Sequence, residues 1–259
     1  MRVDLHNHTV LCNHATGTVD EYVQSAIAKN TEYFGFSDHA PMKFDPEYRM
    51  RFDQIPLYEQ WIHEAKEKYS DQIMILCGYE VDYLQGYMDE YILNKKCDYL
   101  IGSVHFIDEW GFDNPEFIGR YHGLDMDQLY QRYFDLIASM AKFGKFDIVG
   151  HLDLLKVFGF LPSKDIRLLA RDAIKAIKEA NMVVELNVSG FRKPIKEAYP
   201  SGPLLELCAE YQIPITFGSD AHRSDQVGLY SDEITKLARL YGYDECAIFN
   251  NRDRSMIKF

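Results

Sequence analysis

The sequence predicts an α/β protein whose parallel sheet of seven strands comes close to closing into a barrel, and three observations predict it. Short apolar runs of strand length alternate with helical patterns along nearly the whole chain. Those runs end in residues able to hold a metal ion or a charged group. Of the nine histidines, seven (His6, His8, His14, His39, His105, His151 and His222) fall just beyond such an end, which is where parallel barrels carry their chemistry. The other two, His63 in a helical pattern and His122 in a loop, follow no such rule.

Taken in order, the first run ends in His6-Asn7-His8, and alternation along a strand presents both imidazoles on one face, a pair able to grip one ion. Thr18-Val-Asp-Glu21 is a capping box that opens the first helix, whose apolar spacing continues through Tyr22, Ala26 and Ile27. Tyr33–Phe36 ends in Ser37-Asp38-His39. The polar, aromatic and Pro-containing stretch 41–53 reads as a long loop, followed by a helix over about 54–69. Ile73–Tyr79 ends in Glu80-Val-Asp82, and a helix is expected near 88–95. Tyr99–Val104 ends in His105, followed by a Gly-, Asp- and aromatic-rich loop over 108–124 and a long helix over 126–142. Phe146–Gly150 ends in His151, with a helix after Ser163. Met182–Leu186 ends in Asn187-Val-Ser-Gly-Phe-Arg192, with a helix from about Ser201. Ile215–Ser219 ends in Asp220-Ala-His222, and a last helix covers 231–241. Residues 246–259 carry no clear pattern.

No Pro/Gly/Ser-rich linker divides the 259 residues, so one domain over 1–259 is expected. Apolar residues at 47% and charged residues at 26% suit a chain with a substantial core. Five widely spaced cysteines without a Cys-x-x-Cys pair argue against a disulfide framework or a zinc ribbon. A net charge of -12 argues against nucleic acid as partner and for a small substrate. No long apolar span, signal segment or lipidation motif is present, which gives the expectation of a cytoplasmic protein without a membrane partner.

The ordered set His6-x-His8 with His14, Asp38-His39, Glu80, Gly102-Ser-Val-His105, Gly150-His151 and Gly218-Ser-Asp220-Ala-His222 resembles the PHP (polymerase and histidinol phosphatase) family over nearly the whole chain. Ser37-Asp-His-Ala-Pro41, Gly150-His-Leu-Asp153 and Asn187-Val-Ser-Gly-Phe-Arg192 are most similar to its histidinol-phosphate phosphatase branch. The resemblance implies a distorted (β/α)7, TIM-like barrel holding up to three divalent ions (Zn, Fe or Mn) and hydrolysing a small phosphomonoester, L-histidinol phosphate.

By that resemblance one ion takes His6, His8, Glu80 and Asp220. A second takes His105 and His151 and shares Glu80, and a third takes His14, His39 and His222. Imidazole-rich sites with a few carboxylates suit these metals, and two cations held by one bridge generate a nucleophile at neutral pH. Glu80, Asp220 and His222 are accordingly the expected catalytic residues. Arg192 is the main candidate for binding phosphate through its forked donors, with Lys156 and Arg223 behind it. Asp4, Asp38, Asp82 and Asp153 are expected to orient ligating histidines, Cys12 to pack, and the loops holding 48–52 and His122 to cover the substrate or lie on the surface.

Other readings of the same residues are a phosphoesterase of different specificity (phosphotyrosine, or a 3′-5′ exonuclease), an amidohydrolase barrel, and a non-catalytic metal-binding regulatory module. Acidic composition opposes the exonuclease. The third histidine set opposes the amidohydrolase, and the intact ligand set opposes the regulatory module.

Overall fold

In the computed structural model, which describes Met1–Phe259, seven strands run parallel in one sheet. They are β1 (Val3–Asp4), β2 (Tyr33–Phe36), β3 (Met74–Asp82), β4 (Tyr99–Ser103), β7 (Ile148–Val149), β8 (Val183–Asn187) and β9 (Ile215–Gly218), lying side by side in that order. Two hairpins stand apart from the sheet: β5 (Phe106–Ile107) with β6 (Trp110–Gly111), and β10 (Glu245–Asn250) with β11 (Asp253–Lys258). The helices are α1 (Val19–Ala28), α2 (Ile55–Lys68), α3 (Glu90–Leu93), α4 (Met126–Phe143), α5 (Ile166–Glu179), α6 (Gly202–Glu210) and α7 (Ser231–Leu240). None is long and apolar enough to cross a membrane.

The last strand returns to the first. Leu5 N–H donates to Phe217 O at 2.8 Å, Asp220 N–H to His6 O at 2.7 Å and His8 N–H to Ala221 O at 3.0 Å, so the sheet closes through residues just beyond β1 and β9. The expected seven-stranded barrel is the observed one. Inside it, the Tyr99 hydroxyl donates to Leu5 O at 2.6 Å. The ring lies against Gly78, where a Cβ would come within 2.5 Å of it, so a side chain there would displace the tyrosine.

Local chemistry explains the helix ends. Thr18 and Glu21 form the reciprocal capping box, with Glu21 N–H donating to Thr18 Oγ1 at 3.3 Å and Thr18 N–H to Glu21 Oε2 at 2.6 Å. Asp125 caps α4, accepting from Gln128 N–H at 3.1 Å, and Gly144 closes it at φ 70°. The inner face of α4 buries Leu129, Tyr133, Phe134, Ile137 and Met140 against the barrel.

Four expectations need correction. The helix near 88–95 is the single turn α3, confined between the turn at Gly86 (φ 89°) and the start of β4. The strands ending at His8 and His151 are only two residues long; His151, at φ 21°, turns the chain away at once. The 108–124 loop contains part of the β5–β6 hairpin and a 3-10 segment, Pro115–Tyr121. The unpatterned 246–259 stretch belongs to the β10–β11 hairpin, which covers the amino-terminal mouth of the barrel. Asn251 N–H donates to Asp98 Oδ1 at 3.3 Å before β4, Arg252 forms an ion pair with Asp147 and donates to Lys145 O before β7, Arg254 Nη2 donates to Asn181 Oδ1 at 2.8 Å before β8, and Lys258 O accepts from Arg2 before β1.

Asp98 anchors this arrangement, since it also accepts from Cys77 N–H at 2.7 Å and Lys66 Nζ at 2.9 Å. Asp98→Ala is therefore expected to lower stability by roughly 1–3 kcal/mol, because three part-buried donors lose their charged acceptor. Urea unfolding of the variant checks this, with bound metal per chain staying at the wild-type level.

Candidate metal centre and active-site cavity

At the opposite, carboxyl mouth of the barrel the strand ends deliver His6, His8, His39, Glu80, His105, His151 and Asp220 into one buried cluster, with His14 and His222 at its edge. Glu80 lies at its centre. Its Oε2 is 3.3 Å from His6 Nε2, 3.7 Å from His8 Nε2 and 3.0 Å from His39 Nδ1, while Oε1 is 2.9 Å from His151 Nε2 and 3.6 Å from His105 Nε2. Asp220 Oδ1 is 3.2 Å from His8 Nε2. Four groupings are close enough to hold a cation: His6-His8-Glu80, Glu80-His105-His151, His14-His39-His222, and His8-Cys12-His222.

The donor set fits such ions. His6 Nε2, His8 Nε2 and Glu80 Oε2 are buried with no hydrogen-bond partner, a costly arrangement unless a cation takes their lone pairs. Five of the imidazoles are oriented for this through Nδ1. It donates to Glu185 Oε1 from His6 (2.7 Å), to Asp38 Oδ1 from His8 (3.4 Å), to Asp82 Oδ1 from His105 (2.6 Å), to Cys12 O from His14 (2.8 Å) and to Asp220 O from His222 (3.2 Å). In each ring Nε2 is left to ligate.

Charge divides the cluster. Burial alone would depress His8 and His105. For His8 the Asp220 and Asp38 carboxylates outweigh it and hold the pKa up to about 9; for His105, Asp82 and Glu80 hold it up to about 10. In the third grouping burial prevails: His39 is lowered to about 4, and His14 and His222 are also lowered, with the His8 charge adding to the effect. Burial pushes Glu80 up, but the surrounding imidazoles, His39 and His6 foremost, hold it well below the carboxylate range.

Of the acids expected to orient histidines, Asp38 and Asp82 do so and two do not. Asp4 accepts from Ser219 N–H (2.8 Å) and Oγ (2.6 Å), bracing the turn before Asp220. Asp153 accepts from Ser201 N–H at 2.9 Å and pairs with Lys156 at 3.1 Å. The residue the sequence reading missed is Glu185 in β8, which holds His6 and also accepts from His151 N–H at 2.9 Å. It reaches them because Gly218 has no side chain: a Cβ there would sit 2.0 Å from Glu185 Oε1. Its only signal was an acid inside an otherwise apolar strand. Cys12 comes close to His8 and His222, but burial pushes its thiol up and Sγ donates to Thr9 O at 3.1 Å, so it packs as expected.

A cavity of about 760 Å³ opens onto the cluster. Arg192 lines it, with Nη2 donating to Ser219 O (2.8 Å) and Asp220 O (2.9 Å) and Nη1 buried without a partner. Lys156 does not line it. Its ammonium is buried against Asp153, Glu197 (2.7 Å) and Ala198 O (2.7 Å), committed to holding the segment before α6. Arg223 is also outside, exposed and paired with Asp225 at 2.7 Å. Arg49, from the 41–53 loop, does border the cavity and pairs with Asp82 at 2.8 Å. His63 and His122 are exposed, away from the cluster.

A parallel α/β barrel with a His/carboxylate cluster at its carboxyl mouth defines a polynuclear metal-binding barrel. The PHP domain matches residues 4–189 and a PHP-associated segment residues 205–236. The chain is 37% identical over 245 residues to the "Probable histidinol-phosphatase" of Deinococcus radiodurans, covering 92% of this chain and 94% of that protein. It is 32% identical to the histidinol-phosphatase of Bacillus subtilis, covering 87% of this chain and 95% of that one. The histidinol phosphate phosphatase of Lactococcus lactis, solved with Zn, L-histidinol and phosphate, superposes with a TM-score of 0.81 at 22% identity, covering 98% of both chains, and shows the shared fold. The chain belongs to the PHP family.

Two outcomes follow from this geometry. Glu185→Gln is expected to weaken metal retention about 10- to 100-fold by loosening His6, which competition with a chelating dye measures. His8 and His105, whose ordinary pKa of 6.5 is raised to about 9 and about 10, hold protons at pH 7 in the ion-free chain. Their contribution to ion-free stability is complete below pH 6.5 and disappears as pH rises through 9–10. Metal uptake at pH 7 is then expected to release protons, and less so at pH 10. Calorimetry in buffers of different ionisation enthalpy reads the difference.

Proposed function

We propose that this chain is a metal-dependent phosphomonoesterase that hydrolyses L-histidinol phosphate to L-histidinol and phosphate, a step in histidine biosynthesis. The observation that carries the reading is the meeting of cation-holding groupings, two of which share Glu80, at one cavity that Arg192 also lines, with its Nη1 unpartnered. The names of the two relatives, at 37% and 32% identity over nearly their full lengths, supply the substrate. The 259 residues act as one PHP-type barrel domain in the cytoplasm, on a small molecule and not on nucleic acid or membrane.

His6, His8, Glu80 and Asp220 hold one ion, Glu80, His105 and His151 a second, and His14, His39 and His222 a third. Zinc fits this set, and so do manganese and iron, which share its nitrogen and oxygen preferences. When bound, divalent ions supply Lewis-acid polarisation of the phosphoryl group and a nucleophile from water at neutral pH.

The protein's own residues do the rest. Arg192 has two donors committed to backbone carbonyls, which fixes the guanidinium plane so that Nη1 meets a phosphate oxygen at little entropic cost. Asp38, Asp82 and Glu185 keep the imidazoles in the ligating orientation. Asp220 and His222, both partly open to the cavity, face the substrate where charge develops in the transition state.

Turnover of L-histidinol phosphate, p-nitrophenyl phosphate, a phosphotyrosine peptide and 3′-ended DNA tests the assignment, with histidinol phosphate expected to give the highest kcat/KM. Glu80→Gln is expected to lose bound metal and at least about a thousandfold in turnover, an effect of the size seen when electrostatic stabilisation is removed. His63→Asn, on an exposed helix face, is expected to lose neither. Arg192→Ala should keep its metal while KM rises; comparable losses from Glu80→Gln and His63→Asn would refute the ligand assignment.

A further inference from the structure

One wall of the cavity has no role in the chemistry described so far. Residues 113–117, following β6, border the same space as the histidine cluster and Arg192. Asn114 caps this turn, accepting from Glu116 N–H at 2.9 Å, so its two neighbours are presented from an ordered segment.

Those neighbours, Asp113 and Glu116, differ from the other acids at the cavity. Glu80, Asp82 and Asp220 face histidines or Arg49, and Asp45 pairs with Arg49 at 3.4 Å. The half-buried Asp113 and the exposed Glu116 have neither an ion pair nor a side-chain hydrogen bond. Free carboxylates beside a cavity that receives a phosphate dianion repel it, in a chain already at net charge -12. The repulsion disappears if the substrate brings a positive charge of its own to that wall. The cavity lining thus carries both signs, with Arg192 and Lys193 contributed after β8 and Asp113 and Glu116 after β6.

We propose that Asp113 and Glu116 receive the cationic end of the substrate and select amino-bearing phosphomonoesters over neutral ones. This rests on the phosphomonoesterase reading and deepens it. In a 2-amino alkyl phosphate the ammonium is separated from the ester oxygen by two carbons, so it must lie close to the reacting centre. Asp113, the half-buried one of the two and bordering the same cavity as His105, is placed for the ammonium. Glu116, at the exposed rim, meets the outer part of the molecule. A charge-assisted hydrogen bond at a cavity wall contributes enough to select one substrate over another.

The test is kcat/KM for two substrate pairs, phosphoethanolamine against ethyl phosphate and L-histidinol phosphate against p-nitrophenyl phosphate. Wild type, Asp113→Asn and Glu116→Gln are compared, with zinc content measured for each. Asp113→Asn is expected to lower both ratios at least about tenfold, chiefly through KM of the amino-bearing member, the scale of one lost charged hydrogen bond. Glu116→Gln, on the exposed rim where folding is not at risk, is expected to lower the histidinol phosphate ratio by a smaller factor. Ratios that stay at the wild-type value in both variants overturn the proposal. So do equal losses on both members of a pair, which would assign Asp113 to the metal cluster or the fold. A wild type that prefers phosphoethanolamine but not histidinol phosphate refutes the proposed function while this inference stands; a wild type with no preference in either pair refutes the inference.

Discussion

A single carboxylate with almost no access to water governs the barrel's active end. Glu80 is negatively charged at the centre of the histidine cluster, and a buried charge is sustained only by compensating charge and directed hydrogen bonds. Five imidazoles and the Ser103 hydroxyl surround it, the latter donating to Oε1 at 2.7 Å. In the ion-free chain, protons on imidazoles balance Glu80; when cations enter, they take the place of those protons. Metal binding, protonation and the local fold are therefore one equilibrium.

That equilibrium needs a frame that does not yield to it, and the barrel supplies one by separating its two ends. The β10–β11 hairpin closes the amino-terminal mouth through Asp98, Asp147, Asn181 and Arg2, all remote from the metal cluster. The carboxyl mouth is left to polar and strained elements: two-residue strands, residues at positive φ such as His151 and Asp220, and carboxylates with depressed pKa. Burial lowers the pKa of His14, His39 and His222, while neighbouring carboxylates raise that of His8 and His105.

Much of this was readable from the residues because chemistry and periodicity coincided. Apolar runs ending in His or Glu gave both the strands and the mouth where they meet, and the fold brings His6-His8-Glu80, Glu80-His105-His151 and His14-His39-His222 each close enough together to hold an ion. What escaped has physical causes. Glu185 stood out only as an acid in an apolar strand, and its place beside His6 depends on Gly218 in a neighbouring strand. The β10–β11 turn puts Asn251 and Arg252 at positive φ, a conformation arginine seldom adopts, and its anchor is Asp98, some 150 positions away in the chain. Lys156 and Arg223 illustrate the converse: proximity in sequence to His151 and His222 placed them near ligands without turning them into the cavity.

The central claim, that the Glu80-centred cluster holds the ions that make this chain a phosphomonoesterase, is tested most directly by titrating zinc into chelator-stripped protein. Bound zinc per chain and L-histidinol phosphate turnover are followed in the same samples. The account predicts no turnover without metal, a rise that tracks filling of the cluster, and saturation at up to three ions per chain. Full turnover by the stripped protein, or a saturated cluster that hydrolyses nothing, would contradict it.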